Sequence, residues 1–195
     1  MFKAEIVVVG LGYIGLPTAA TLASKKFKVL GFDINKDVVQ TINKGKIHIV
    51  EKDLEKMVKD SIDEGFLTAS NSPQPADVFI ITVPTPFKSD SVGVKAPNVE
   101  FIEEACRRIA PLLKKDDLII LESTSPVGTT EKISTFLSDH RKDLVFPKAN
   151  IVNSDVNIAY CPERVTPGDI VKEITNNDRV IGGITSVCTK KAKKL

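Results

Sequence analysis

The 195-residue chain has no tryptophan, and only two tyrosines, two methionines, two histidines and three cysteines. The cysteines, at 106, 161 and 188, are odd in number and far apart, with no CxxC pair, so neither a disulfide framework nor a metal-ligand pattern is present. Reduced thiols in a cytoplasmic protein are the expectation. No run approaches the roughly 20 apolar residues of a membrane span. An apolar strand pattern begins within four residues of Met1, so no signal peptide is expected. There is no excess of one charge either: 27 Lys and Arg against 25 Asp and Glu leave a formal +2, and no electrostatic case for nucleic acid. The Lys-rich end, TKKAKKL (189–195), reads as the solvated face of a helix. Internal repeats, low-complexity tracts and Pro/Gly/Ser linkers are missing, so a single domain is expected.

What the sequence does hold is an alternation of apolar runs with helical patterns. EIVVVG (5–10) is short, continuous and Val-rich, as a parallel strand buried on both faces should be. A helix over 14–24 follows, with Leu16, Ala19, Ala20 and Ala23 on one face. FKVLGFD (27–33) is a second strand, and Asn35 is placed to cap a helix over 36–43 that stops at Gly45. Leu54, Met57, Val58 and Ile62 mark another helix, closed by Gly65, before a short strand at 67–69. DVFIITV (77–83), a loop over 84–98, a helix over 99–113, DLIILEST (117–124), a helix over 130–138, NIAYC (157–161) and RVIGG (179–183) complete the series. Strands alternating with helices predict an α/β fold, a Rossmann-like, doubly wound, mostly parallel sheet with helices on both faces.

The chemistry concentrates after the strands. Gly10, Gly12 and Gly15 form G-x-G-x-x-G between the first strand and the first helix. Gly10 permits the tight turn, Gly12 lets backbone approach a pyrophosphate, and Gly15 lets the helix lie close to the sheet. The helix N-terminus offers free N–H groups to phosphate, and Pro17 is tolerated in that first turn. Asp33 ends the second strand 18 residues beyond Gly15. Its carboxylate accepts from ribose hydroxyls and repels a 2′-phosphate, so NAD is favoured over NADP. A merely structural glycine turn, or FAD in the same loop, stands beside this reading. The loop PTPFKSDSVGVKAPN (84–98), ESTSPVGTT (122–130) and YCPERVTPGD (160–169) also follow strands, and ligands of open parallel sheets bind at that edge.

VPTPF (83–87), ESTSPVGTTE (122–131), YCPERVTPG (160–168) and NDRVIGG (177–183), in this order behind the glycine loop, resemble the UDP-glucose/GDP-mannose dehydrogenase family. PTPF and PERVTPG are most similar to the branch that oxidises UDP-N-acetylmannosamine to UDP-N-acetylmannosaminuronate. The resemblance implies oxidation of a sugar C6 alcohol to a carboxylate with two NAD⁺, through a thiohemiacetal and a thioester on a Cys. It places Gly10, Gly12, Tyr13, Ile14, Gly15, Asp33, Thr85, Ser123 and Thr124 around the cofactor. Thr124 would help hold a water, Glu163 would act with that water as acid/base and touch substrate, and Arg164 would face the substrate. Duller readings compete: a turn at Thr85, capping hydroxyls at Ser123 and Thr124, and a surface pairing of Glu163 with Arg164 or Arg179. His48 and His140 carry no motif and read as surface residues.

In the family the nucleophilic Cys lies further along the chain, so Cys161 reads as a small buried residue. Pro167 occupies a position where some members carry a second acid, which suits the N-acetylmannosamine branch. The resemblance further implies an NAD-binding domain over 1–184, the start of a central connecting helix over 185–195, and a UDP-sugar domain beyond. A full-length homodimer joined through that helix is implied, and cofactor binding by this chain without completed oxidation. Two other readings are a UDP-glucose or GDP-mannose 6-dehydrogenase and a non-catalytic NAD(H)-sensing module. A hydroxy-acid dehydrogenase is disfavoured, because no His or Lys sits in a motif.

Overall fold

The apolar runs form strands because each is flanked on both sides by helices that bury it. The computed structural model describes residues 2–89, 95–151, 153–166 and 168–195; part of the 84–98 loop and Pro167 lie outside the described residues. Strands β1 (Ile6–Val9), β2 (Val29–Phe32), β3 (Leu67–Ser70), β4 (Val78–Ile81), β7 (Leu118–Leu121) and β8 (Asn157–Tyr160) pair in parallel. The short β9 (Gly182–Gly183) adds an antiparallel edge, giving the order β3-β2-β1-β4-β7-β8-β9. β1, β2 and β7 are buried along their whole length, as their unbroken apolar sequences require.

Alternate side chains feed two cores. Val7, Val9, Phe32, Phe79, Ile81 and Ile119 pack under α4 (Glu100–Ile109) and α5 (Thr129–His140). Ile6, Val8, Val29, Ile80 and Ile120 pack under α1 (Gly15–Ser24), α2 (Lys36–Asn43) and α3 (Leu54–Asp63). Helices therefore cover both faces, the doubly wound arrangement. The expected apolar face of α1 is completely buried at Leu16, Ala19, Ala20 and Ala23. Asn35 caps α2 by accepting from the Asp37 N–H at 2.9 Å.

The register decides where the chemistry goes. Val9 pairs with Phe32 and with Ile81, Ile81 with Leu121, and Leu121 with Tyr160. The five strands thus end level, and the residues that follow them share one edge.

Three features depart from the sequence reading. The loop at 84–98 contains a two-stranded antiparallel hairpin, β5 (Phe87–Ser89) and β6 (Lys95–Pro97). The strand expected over 179–183 is reduced to its two glycines. Gly183 packs so tightly on α7 (Ser186–Ala192) that a Cβ there would stand 2.3 Å from the Thr189 nitrogen. A further helix, α6 (Ile170–Asn176), has no sequence signal, because its N-terminal support comes from a distant residue. Its preceding residue, Asp169, makes no side-chain cap.

Candidate functional site

The level strand ends open into a cleft of about 780 Å³. Its floor is the glycine loop. Gly10 has φ +93, a left-handed conformation that suits glycine, and a Cβ at Gly12 would meet nothing within 4 Å. Gly12 therefore presents bare backbone to open space. Gly15 has a different job. A Cβ on it would stand 1.8 Å from the Gly10 carbonyl oxygen and 2.4 Å from Thr82 Oγ1. It lies buried beneath the loop, while Gly10, Gly12, Tyr13 and Ile14 line the cleft. Thr82 Oγ1 lies 2.9 Å from the Val9 carbonyl oxygen and 2.8 Å from that of Gly10, holding the turn on β4.

Asp33 lines one end of the cleft. Its two oxygens accept the Leu11 and Asn35 N–H groups, each at 2.8 Å. A carboxylate has about four acceptor positions, so capacity for sugar hydroxyls remains. Part of the cleft lining comes from α4, with Phe101, Glu104, Ala105 and Arg108. None of these was singled out from sequence, since their helical spacing says only that α4 is amphipathic.

Thr85, Ser123, Thr124 and Glu163 line the cleft as well. Ser123 is buried and its hydroxyl donates to the Val83 carbonyl at 2.7 Å, so it splices β7 to the end of β4. Thr124 is exposed, and its hydroxyl has no partner among the described residues. Glu163 forms no ion pair among the described residues. Its Oε2 accepts the Val165 N–H at 2.6 Å, and its Oε1 is buried with no hydrogen-bond partner. The surface pairing with Arg164 or Arg179 is not what the fold makes. Arg164 is exposed and does not line the cleft. His48 is exposed at the rim. All three cysteines are buried and free, and burial pushes the Cys106 thiol up to about 12.

Of the buried acids that the sequence reading did not single out, two bear on the cleft and the segment beside it. Glu122 follows β7 directly and is 2% exposed. It forms an ion pair with Arg179 and lies 3.2 Å from the Thr18 hydroxyl, which donates to it. Arg179 also donates to the Cys161 sulfur at 3.4 Å. The available signal was an acid set at the end of an apolar strand; its partner, 57 residues on, lies in NDRVIGG, where the sequence offers it to Glu163 and not to Glu122. Glu51, on the connection between α2 and α3, accepts the N–H groups of Gly168 and Ile170 at 2.9 and 2.8 Å. It supplies the missing N-terminal support of α6 and pins the segment that carries Glu163. Hydrogen bonds to an ionised group contribute about 1.5–3 kcal/mol each. Glu51→Ala is therefore expected to lower stability by about 3 kcal/mol, and hydrogen exchange should show the fastest new opening at residues 164–176.

A glycine-floored crevice at the reversal point of strand order, with an acid at the tip of the second strand, defines a dinucleotide-binding protein of the Rossmann type. The chain belongs to the UDP-glucose/GDP-mannose dehydrogenase family, whose NAD binding domain matches residues 4–195. It is similar to UDP-N-acetyl-D-mannosamine dehydrogenase of Escherichia coli (strain K12), at 55% identity over the whole chain and 46% of that protein. It is also similar to an NDP-N-acetyl-D-galactosaminuronic acid dehydrogenase of Ralstonia solanacearum, at 52% over 97% of the chain and 44% of that protein. Among solved structures, UDP-D-ManNAc dehydrogenase of Pyrococcus horikoshii superposes with a TM-score of 0.88 at 37% identity, over 97% of this chain and 43% of that one. The chain thus spans under half the length of these relatives. NAD is the cofactor of this domain.

Proposed function

We propose that the chain is the cofactor half of a nucleotide-sugar 6-dehydrogenase that oxidises UDP-N-acetylmannosamine to the uronate with two NAD⁺. The observation that carries this reading is one cleft that joins a bare-backbone glycine floor, Asp33 at one end and an unpartnered Glu163 oxygen at the other. The 55% identity to the Escherichia coli protein supports the choice of sugar.

Bare backbone at Gly10 and Gly12, with Tyr13 and Ile14 at the start of the helix, suits a pyrophosphate. Gly15 acts beneath them by holding that helix against the turn. Asp33 takes the adenosine ribose. Thr85, Ser123 and Thr124 border the nicotinamide half. Bound NAD supplies the hydride acceptor. This chain's own contribution there is positional: Ser123 fixes the strand ends, while Thr124 and Glu163 offer a hydroxyl and a carboxylate that together suit a water and its proton. Arg164, exposed and next to Glu163 in the chain, is assigned to the substrate. Residues 1–184 form the cofactor domain and α7 opens a connecting helix, with the sugar domain and homodimer contacts in the rest of the protein.

Calorimetry with NAD⁺ and NADP⁺ tests the reading. NAD⁺ is expected to bind the tighter of the two. Asp33→Ala should weaken NAD⁺ by about 1–3 kcal/mol, the effect of removing a partner from a polar contact, and should narrow the gap to NADP⁺. Equal binding of both cofactors by the unaltered chain would overturn the assignment of Asp33.

A further inference from the structure

The nicotinamide half of the cleft holds an unbalanced set of charges. Glu122 and Arg179 bond to each other and cancel. Glu163 has no counter-ion among the described residues, and its Oε1 is shut away from solvent without a partner. Glu122 and Glu163 both line this cleft. Arg164 is exposed and off the cleft, where water and salt screen it. On α4, Glu104 is shared by Arg107 and Arg108, so no bare carboxylate stands there. One negative charge is therefore left over at the nicotinamide end, in a partly desolvated space where Coulomb attraction exceeds that in bulk water.

Oxidised nicotinamide carries a ring charge of +1 that the reduced ring lacks, while the rest of the cofactor is the same. We propose that the uncompensated carboxylate of Glu163, beside a Glu122–Arg179 pair whose charges cancel, makes this cleft select the oxidised cofactor over the reduced one. The inference rests on the reading of the cleft as the NAD site. It gives Glu163 a second task, cofactor redox-state selectivity, apart from any handling of a water. Once the ring has lost its charge the attraction is gone, which favours departure of spent cofactor.

The chain, Glu163→Gln and Glu122→Gln are titrated with NAD⁺, NADH and ADP-ribose. Glu163→Gln keeps an amide oxygen for the Val165 N–H, so the change is in charge more than shape. Glu163→Gln should reduce the ratio of the NADH Kd to the NAD⁺ Kd by roughly 3- to 10-fold, nearly all through NAD⁺. ADP-ribose, which lacks the ring, should be unaffected. Glu122→Gln should move the ratio the same way, because Arg179 is then free to neutralise Glu163. In the unaltered chain the ratio should fall as salt rises. An unchanged ratio in both variants, with ADP-ribose still bound, overturns the inference and leaves the NAD reading standing. Should the unaltered chain bind neither cofactor, both fall. A variant that loses ADP-ribose has lost its fold, and the other variant and the salt series then decide.

Discussion

Gly15→Ala is expected to destabilise the chain by roughly 3 kcal/mol or more and to abolish NAD⁺ binding, the upper range of overpacking costs. The new Cβ would stand 1.8 Å from the Gly10 carbonyl oxygen and 2.9 Å from its carbon. These are backbone atoms in a turn that is itself bonded to β4 through Thr82, so no side chain can swing aside. Either α1 lifts from the sheet or the turn opens. Gly12→Ala is the informative contrast. Its Cβ meets nothing within 4 Å, so the denaturation midpoint should barely move. The same methyl intrudes where pyrophosphate must approach, and NAD⁺ affinity should fall at least about 10-fold, equivalent to about 1.4 kcal/mol. Urea unfolding and NAD⁺ titration of the two variants side by side separate a glycine that builds the site from one that leaves room in it. Equal stability losses in both would refute the distinction.

Arg179→Met should be the other severe substitution, costing about 3–5 kcal/mol at neutral pH. It strands the Glu122 carboxylate, 2% exposed, with only the Thr18 hydroxyl for company. The double change Glu122→Leu with Arg179→Met should recover most of the loss, because a buried ion pair repays little beyond its own desolvation. The deficit also has a pH signature. Burial pushes the Glu122 carboxyl above the usual carboxylate range; the Arg179 charge and the bonds from Arg179 and Thr18 oppose this, and the Glu163 charge adds to it. A carboxyl held above its unfolded value favours folding on the acid side, and that contribution is lost as pH rises through the window between the two values. Without Arg179 the carboxyl is pushed higher still. The variant should therefore approach the unaltered chain towards about pH 5 and fall furthest behind it at neutral and alkaline pH. A pH-independent deficit would mean that lost packing by the arginine stem, not a stranded charge, is responsible.

These two sites differ in how far they could be read from the chain. Gly15 belongs to a local motif: strand, turn and helix are consecutive, and the spacing of three glycines states the geometry. The same holds for the Asn35 cap, for the buried Ala face of α1, and for the segments following β4, β7 and β8 that reach the cleft. Each depends on residues a few positions apart. Glu51, Glu122 and Arg179 do not. Glu51 acts 117 and 119 residues away, on Gly168 and Ile170, and Arg179 acts 57 residues back on Glu122. Nothing in local spacing announces such partners. The helix α6 was missed for the same reason, since the acid that supports its first turn lies on the far side of the sequence.

By itself, then, the sequence determined the layering, the strand-end placement of the motifs, the glycine floor and the acid at the tip of the second strand, because periodicity and turn chemistry act over a few residues. Only the tertiary structure decided which carboxylates are neutralised and which is left bare. Burial and counter-ions are set by strand register and helix packing, which bring together residues that the chain keeps dozens of positions apart.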